Sequence, residues 1–146
     1  MNKEIDNSFG FVIHDVTRLL RWEFDRQAQA LGLTRAQWSV LAHLQRNQGV
    51  QQTDLAEIMD IKPITLARHV DKLEKEGWLI RKNDEQDRRA KRLHLTDRAI
   101  PMIRSLKKVG KKVREKALNG IDPKAQAQFM ETLFTVRNNL GMAKSD

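Results

Sequence analysis

The chain has no cysteine and no tyrosine, and only three prolines in 146 residues. Without cysteine there is no disulfide framework, no thiolate metal site and no thiol-based redox switch. No run approaches the roughly 18–20 apolar residues of a membrane span. The N-terminus also lacks a basic segment followed by an apolar one. The expectation is therefore a cytoplasmic protein with no membrane partner. Glycine-rich phosphate loops, nucleophile elbows and zinc-protease motifs are missing as well. The four histidines, His14, His43, His69 and His94, are scattered. Only His14-Asp15 sets a ligand beside a carboxylate, and adjacent helical residues diverge, which makes a poor chelate. An enzymatic reading would rest on that pair alone. No metal, no cofactor and no catalytic constellation is expected.

Acidic residues are in deficit. Lys and Arg number 27 against 19 Asp and Glu, a formal charge of +8. In a small domain such an excess favours an acidic polymer as partner, nucleic acid above all. The charge is uneven. Arg104 to Lys116, "RSLKKVGKKVREK", carries seven bases and one acid. That stretch reads either as a positive flank toward DNA or as a solvated helix face.

Apolar residues recur at helical steps from Phe9 to Leu31 (Val12, Val16, Leu19, Leu20, Phe24, Ala28), and Gly32 ends the run. Thr34 and Gln37 form a capping box that opens a second helix reaching about Arg46. Leu55, Ala56 and Met59 line a short third helix. Asp60 and Ile61 leave room only for a tight turn, and Pro63 is pre-set for a first helical position. The helix it starts buries Leu66, Val70 and Leu73 and stops at Gly77. Two short helices so close together make a helix-turn-helix.

Trp78–Lys82 and Arg92–Thr96 then read as a β-hairpin. Thr96 is placed to cap a helix with apolar positions Ile103, Leu106, Gly110, Val113 and Ala117, whose start Pro101 should bend or loosen. Asp122 and Pro123 open the last helix, seamed by Phe129, Leu133, Val136 and Leu140. The first helix and the last two are more apolar than the central unit can cover, so a symmetric partner is expected.

On the helix opened by Pro63, Thr65, Arg68 and Lys72 share the face opposite the core, with Ile64 and His69 at its edges. Such a helix fits the major groove, where Arg68 can donate two hydrogen bonds to a guanine edge. Lys62 and Lys72 suit phosphates, and Thr65 either a base or a phosphate. The stretch "NDEQDRRAKRLHLT" (83–96) crowds four bases into five positions, Arg88, Arg89, Lys91 and Arg92. A hairpin directly after a recognition helix is a wing. Narrow A·T-rich minor grooves attract an inserted arginine, which fits Arg88 and Arg89 at the tip. Lys91 and Arg92 follow where the strand returns past the phosphates. Asp87 serves either to hold a neighbouring arginine or as a plain turn residue.

"LTRAQWSVL", "LAEIMDIKPITLARHVDKLEKEGWLIRK", "DRRAKRLHLT" and "GIDP" stand in the order and spacing of the MarR family of winged-helix regulators. The run "DRRAKRLHLTDRAIPMI" most resembles its SlyA-like branch. The resemblance covers about residues 9 to 140, and the Asp-x-Arg of the wing (Asp87, Arg89) is its most specific element. It implies a homodimer on a palindromic operator, with Arg68 as base reader and Arg89 as the minor-groove arginine. Two departures stand out: Asp60, where many relatives have Gly in the turn, and Gln51, where relatives place a Ser cap. The family often binds small aromatic anions. By that resemblance Trp38 lies near the pocket, with His14, Arg18, Arg21 and Trp22 as lining groups for an aromatic carboxylate effector.

The expected fold is mainly α, a winged helix-turn-helix with a small β-hairpin wing and long N- and C-terminal dimerisation helices. Residues 1–32 would form the N-terminal dimerisation helix, 33–96 the DNA-binding unit, which includes Pro63, and 97–146 the C-terminal dimerisation helices. The expected function is sequence-specific regulation of transcription on double-stranded DNA, as a repressor relieved by a small aromatic anion. The alternative is a sequence-tolerant architectural or counter-silencing DNA-binding protein without an effector.

Overall fold

A computed structural model describes residues 8–141. Residues 1–7 and 142–146, the outer ends of the two expected dimerisation segments, lie outside the described residues. Among those described, six α-helices and one two-stranded hairpin follow in the order α1 (Phe9–Ala28), α2 (Arg35–Arg46), α3 (Gln52–Ile58), α4 (Pro63–Lys75), β1 (Leu79–Asn83), β2 (Lys91–Leu95), α5 (Ala99–Ala117) and α6 (Pro123–Gly141). The chain divides into two compact units, one ending at Val113 and one starting at Arg114.

The first unit holds a single core. Leu41 and Leu44 of α2, Leu55 of α3, Leu66, Val70 and Leu73 of α4, Leu79 of β1 and Leu93 of β2 are all fully buried. Ala99, Ile103 and Leu106 of α5 join the same cluster. Each fully buried leucine contributes about 2 kcal/mol of hydrophobic stabilisation. The end of α1 also packs here: Phe24 stacks on Trp38 with ring centroids 4.2 Å apart.

Local chemistry sets the joints. The capping box at α2 forms as expected, with Gln37 N–H donating to Thr34 Oγ1 at 3.2 Å and Thr34 N–H donating to Gln37 Oε1 at 3.0 Å. Helix α3 closes with Asp60 in the left-handed region at φ 53°. There Ile61 N–H reaches Ala56 O at 3.0 Å and Asp60 N–H reaches Glu57 O at 3.1 Å. Helix α4 ends in the same way around Gly77, with Trp78 N–H on Leu73 O at 2.9 Å. This paired bond pattern satisfies the last carbonyls of a helix and demands positive φ at one residue.

Two expectations at the start of α5 are corrected. Thr96 does not cap the helix; its hydroxyl donates to Gly77 O at 2.6 Å. The helix begins three residues later, at Ala99. Pro101 therefore falls in the first turn, where its missing N–H would have had no partner, and it leaves the helix intact. The hairpin pairs Leu79 with Leu95 and Arg81 with Leu93, one residue off the expected strand limits. The segment before α3 adds an isolated bridge to β2, Gln51 opposite Arg92, with Gly49 N–H donating to Leu93 O and Leu93 N–H to Val50 O, both at 2.9 Å. In the second unit, Asp122 Oδ1 caps α6 by accepting from Ala125 N–H at 3.0 Å.

Candidate nucleic-acid interface

Helix α4 is built with one wet face. Pro63 takes the first helical position, and the buried stripe Leu66, Val70 and Leu73 fixes the helix against the core. Ile64, Arg68 and Lys72, four residues apart, are exposed, as are Lys62 and Pro63, whereas Thr65 and His69 are half-buried. The outward stripe is thus Ile64–Arg68–Lys72, with Thr65 moved to an edge and Ile64 at its N-terminal end.

The wing follows from two hubs that sequence reasoning passed over. Arg81, with a side chain only 19% exposed, pairs with Asp71 at 2.6 Å and with Glu74 at 3.2 Å. Its Nε also donates to Gln52 Oε1 at 2.9 Å, so one guanidinium ties β1 to α4 and to the start of α3. The signal was present: strand alternation sets Arg81 on the same face as buried Leu79, and acids at i and i+3 of α4 await an inward cation.

Asp84 is the second hub. Its Oδ1 accepts from the N–H of Gln86 at 2.8 Å and of Asp87 at 3.2 Å. Its Oδ2 accepts from Arg92 Nε at 2.6 Å and from Gln51 Nε2 at 3.2 Å. The Gln86 N–H leads in holding this carboxyl below its ordinary value near 3.8, with the Asp87 N–H and the Arg92 and Gln51 side chains adding to it against the opposing effect of burial. Arg92, read as standing where the strand returns past the phosphates, is tied back through Nε to Asp84 and through Nη1 to Gly49 O at 2.8 Å, with its side chain 44% exposed. Gln51 gives α3 no side-chain cap, and its amide braces the wing instead.

At the tip, Asp87 acts as the turn residue. Its Oδ1 accepts from Arg89 N–H at 3.0 Å and its carbonyl from Ala90 N–H at 3.0 Å. It thereby fixes the Arg89 backbone rather than a guanidinium. Lys91 Nζ donates to Asn83 Oδ1. A groove of about 280 Å³ runs between the wing and the start of α3, lined by Gln51, Gln52, Thr53, Asp87, Arg89, Ala90 and Lys91.

The basic residues around α4 and the wing differ in how they are held. Arg81 and Arg92 are bound inside the unit, and Arg98 donates to Glu76 O while lying 4.4 Å from the Trp78 ring centroid. Among the described residues, the side chains of Lys62, Arg68, Lys72, Arg88 and Arg89 are exposed and make no hydrogen bond or ion pair.

The expected ligand residues are not brought together. Trp38 is buried, and its indole N–H donates to Asp25 Oδ1 at 3.1 Å. His14, Arg18, Arg21 and Trp22 lie exposed along α1, Trp22 at 67%. Among the described residues no group of three or more His, Asp or Glu side chains is placed to hold a metal ion. No described helix is long and apolar enough to cross a membrane.

Comparison with known proteins accords with this geometry. The MarR family model matches residues 33–91. The transcriptional regulator PA3341 is 36% identical, with 91% of this chain and 98% of that one covered and a TM-score of 0.80. A MarR-family regulator from Listeria monocytogenes, complexed with 26mer DNA, is 23% identical with a TM-score of 0.80 over 92% of this chain and 89% of its own, a likeness of fold. The transcriptional regulator SlyA shares that fold at 23% identity and a TM-score of 0.76, over 94% and 96% of the two chains. With its helix-turn-helix, its wing and a relative at 36% identity over nearly the whole length, the chain belongs to the MarR family of winged-helix, DNA-binding transcription regulators.

Proposed function

We propose that the protein is a homodimeric, sequence-specific regulator that grips a palindromic operator with α4 in the major groove and the wing in the flanking minor groove. The observation that carries this reading is the division of cations. Lys62, Arg68 and Lys72 along the outward side of α4 and Arg88 and Arg89 at the wing tip are exposed and unpaired, as are Lys75 and Lys82 beside them, while Arg81, Arg92 and Arg98 brace the scaffold that presents them. Arg68 supplies the bidentate guanine contact, Lys62 and Lys72 the phosphate contacts, and Arg88 and Arg89 the minor-groove insertion.

Dimerisation is supported by apolar residues that stay exposed among the described residues. On α1, Phe11 is 59% and Val16 46% exposed; on α6, Phe129 is 48% and Leu140 70% exposed. In this reading residues 1–32 and 97–146 serve pairing and residues 33–96 serve DNA, which the exposed apolar residues of α1 and α6 support. Regulation by a small aromatic anion belongs to the same reading: Arg18, Arg21 and Trp22 offer cation and ring on α1, where a second copy would supply the opposite wall. Binding there would favour one separation of the two wings and lower operator affinity.

Competition binding tests the proposal. The operator should be preferred over scrambled duplex by ~10³-fold or more, with half-sites ~10 bp apart. Equal affinity for both duplexes would favour the architectural alternative. Arg68→Ala should cost about 1–3 kcal/mol and relax preference at one base pair per half-site.

A further inference from the structure

One exposed side chain on α4 is of the wrong polarity for its surroundings. Ile64 is 63% exposed and stands at the N-terminal end of the outward stripe, next to exposed Lys62, Pro63 and Arg68. It belongs neither to the core cluster nor to the half-buried residues packed on it, unlike Ile61 three residues earlier. Removing it from water therefore stabilises nothing within this unit. Isoleucine is also stiff at χ1, so little rotamer freedom is lost when it meets a partner.

The major groove offers one apolar group, the C5-methyl of thymine. The N-terminal residues of a recognition helix are those that approach base edges, and Ile64 is the second residue of α4. We infer that Ile64 reads a thymine methyl in each half-site, beside the guanine contacted by Arg68. Ile64 and Arg68 lie about one turn apart, ~6 Å along the helix axis. Base pairs stack ~3.4 Å apart, which places the thymine within about two base pairs of that guanine. This assignment rests on the DNA-binding mode proposed above, and it adds a second readable base to each half-site.

The test removes the methyl and nothing else. In the operator duplex recovered by selection, each thymine is replaced in turn by deoxyuridine. The wild-type protein should lose roughly fourfold in affinity at the position Ile64 covers, the worth of one buried methyl-sized group. Ile64→Ala should bind the thymine and deoxyuridine duplexes equally at that position, and Ile64→Val should keep part of the discrimination. Position 64 is exposed, so an unchanged melting curve for Ile64→Ala is the check that its fold is intact. A wild-type protein indifferent to every deoxyuridine would overturn the assignment while leaving operator preference standing. So would an Ile64→Ala protein that still discriminated at the same position. Loss of preference for the operator over scrambled duplex in the wild-type protein would overturn both readings together.

Discussion

Arg81 on the first wing strand forms an ion pair of 2.6 Å with Asp71 on the recognition helix. The same guanidinium reaches Glu74, one turn further along, at 3.2 Å, and Glu74 Oε2 in turn accepts from Arg81 N–H at 2.9 Å. Two carboxylates of one helix thus hold both the side chain and the backbone of one strand residue. The first wing strand and α4 are thereby joined beside the core, where Val70, Leu73, Leu79 and Leu93 are fully buried.

Arg81→Lys retains a charge but loses the planar fork that serves Asp71, Glu74 and Gln52 together. Its stability should fall by ~1–3 kcal/mol, read as a lower denaturation midpoint. Operator affinity should fall with it, yet the slope of log K against log salt should stay at the wild-type value, because every phosphate keeps its cation. A reduced slope would show that Arg81 itself meets the DNA backbone.

Asp84 gives the wing a pH dependence whose sign is fixed. The folded carboxyl titrates below its ordinary value near 3.8, because the Gln86 N–H favours the ionised form, helped by the Asp87 N–H, Arg92 and Gln51 against burial. Its contribution is therefore complete above the ordinary carboxylate value and is lost as pH falls through the lower folded value. Amide exchange at Gln86 and Asp87 should stay slow down to that value and quicken below it. In Asp84→Ala, which removes the acceptor, the exchange should be fast throughout, with no step on acidification.

The wing arginines should separate by role. Arg89→Gln should lower the salt slope by about 0.9 for each phosphate it leaves without a cation, and should blunt any preference for A·T flanks. Arg92→Gln should leave the slope alone and loosen the wing, since Arg92 is held by Asp84 and Gly49. Salt titrations of the two variants on one duplex make the comparison.

Much of the fold was legible in the residues. Thr34 and Gln37, Pro63, Gly77 and Asp122 marked helix limits, because each answers a local demand for a cap or a backbone angle. The inward leucines of α4 were read from spacing alone. What escaped was decided by long-range geometry. Arg81 and Arg92 carry the same charge as Arg88 and Arg89, and only the strand register and the carboxylates at 71, 74 and 84 tell bound from free. Thr96 has the composition of a cap, but the carbonyl of Gly77 took its hydroxyl. The resemblance placed Trp38 near a pocket, but its partners, Asp25 through the indole N–H and Phe24 through the ring, lie 13 and 14 residues back on α1 and were not visible from spacing.

Asp60 occupies the left-handed region at φ 53°, where a Cβ is disfavoured. Asp60→Gly should relieve that cost and raise stability by roughly 0.5–1 kcal/mol, after allowance for the greater freedom of glycine in the unfolded chain. Asp60→Val should lower stability, since a β-branched side chain tolerates this region worst. Thermal unfolding of the pair would show melting temperatures displaced in opposite directions.

The amide of Gln37 is used at both ends. Its oxygen receives Thr34 N–H at 3.0 Å, and its nitrogen donates to Glu76 Oε2 at 3.1 Å. Glutamate closes a capping box as well as glutamine does, so on local grounds the two are interchangeable here. With Glu76 opposite, only the neutral amide can face the carboxylate without like-charge repulsion. The identity of a helix-starting residue is thus dictated by an acid 39 places downstream, and any lineage that acquires glutamate at 37 would be expected to shed the negative charge at 76.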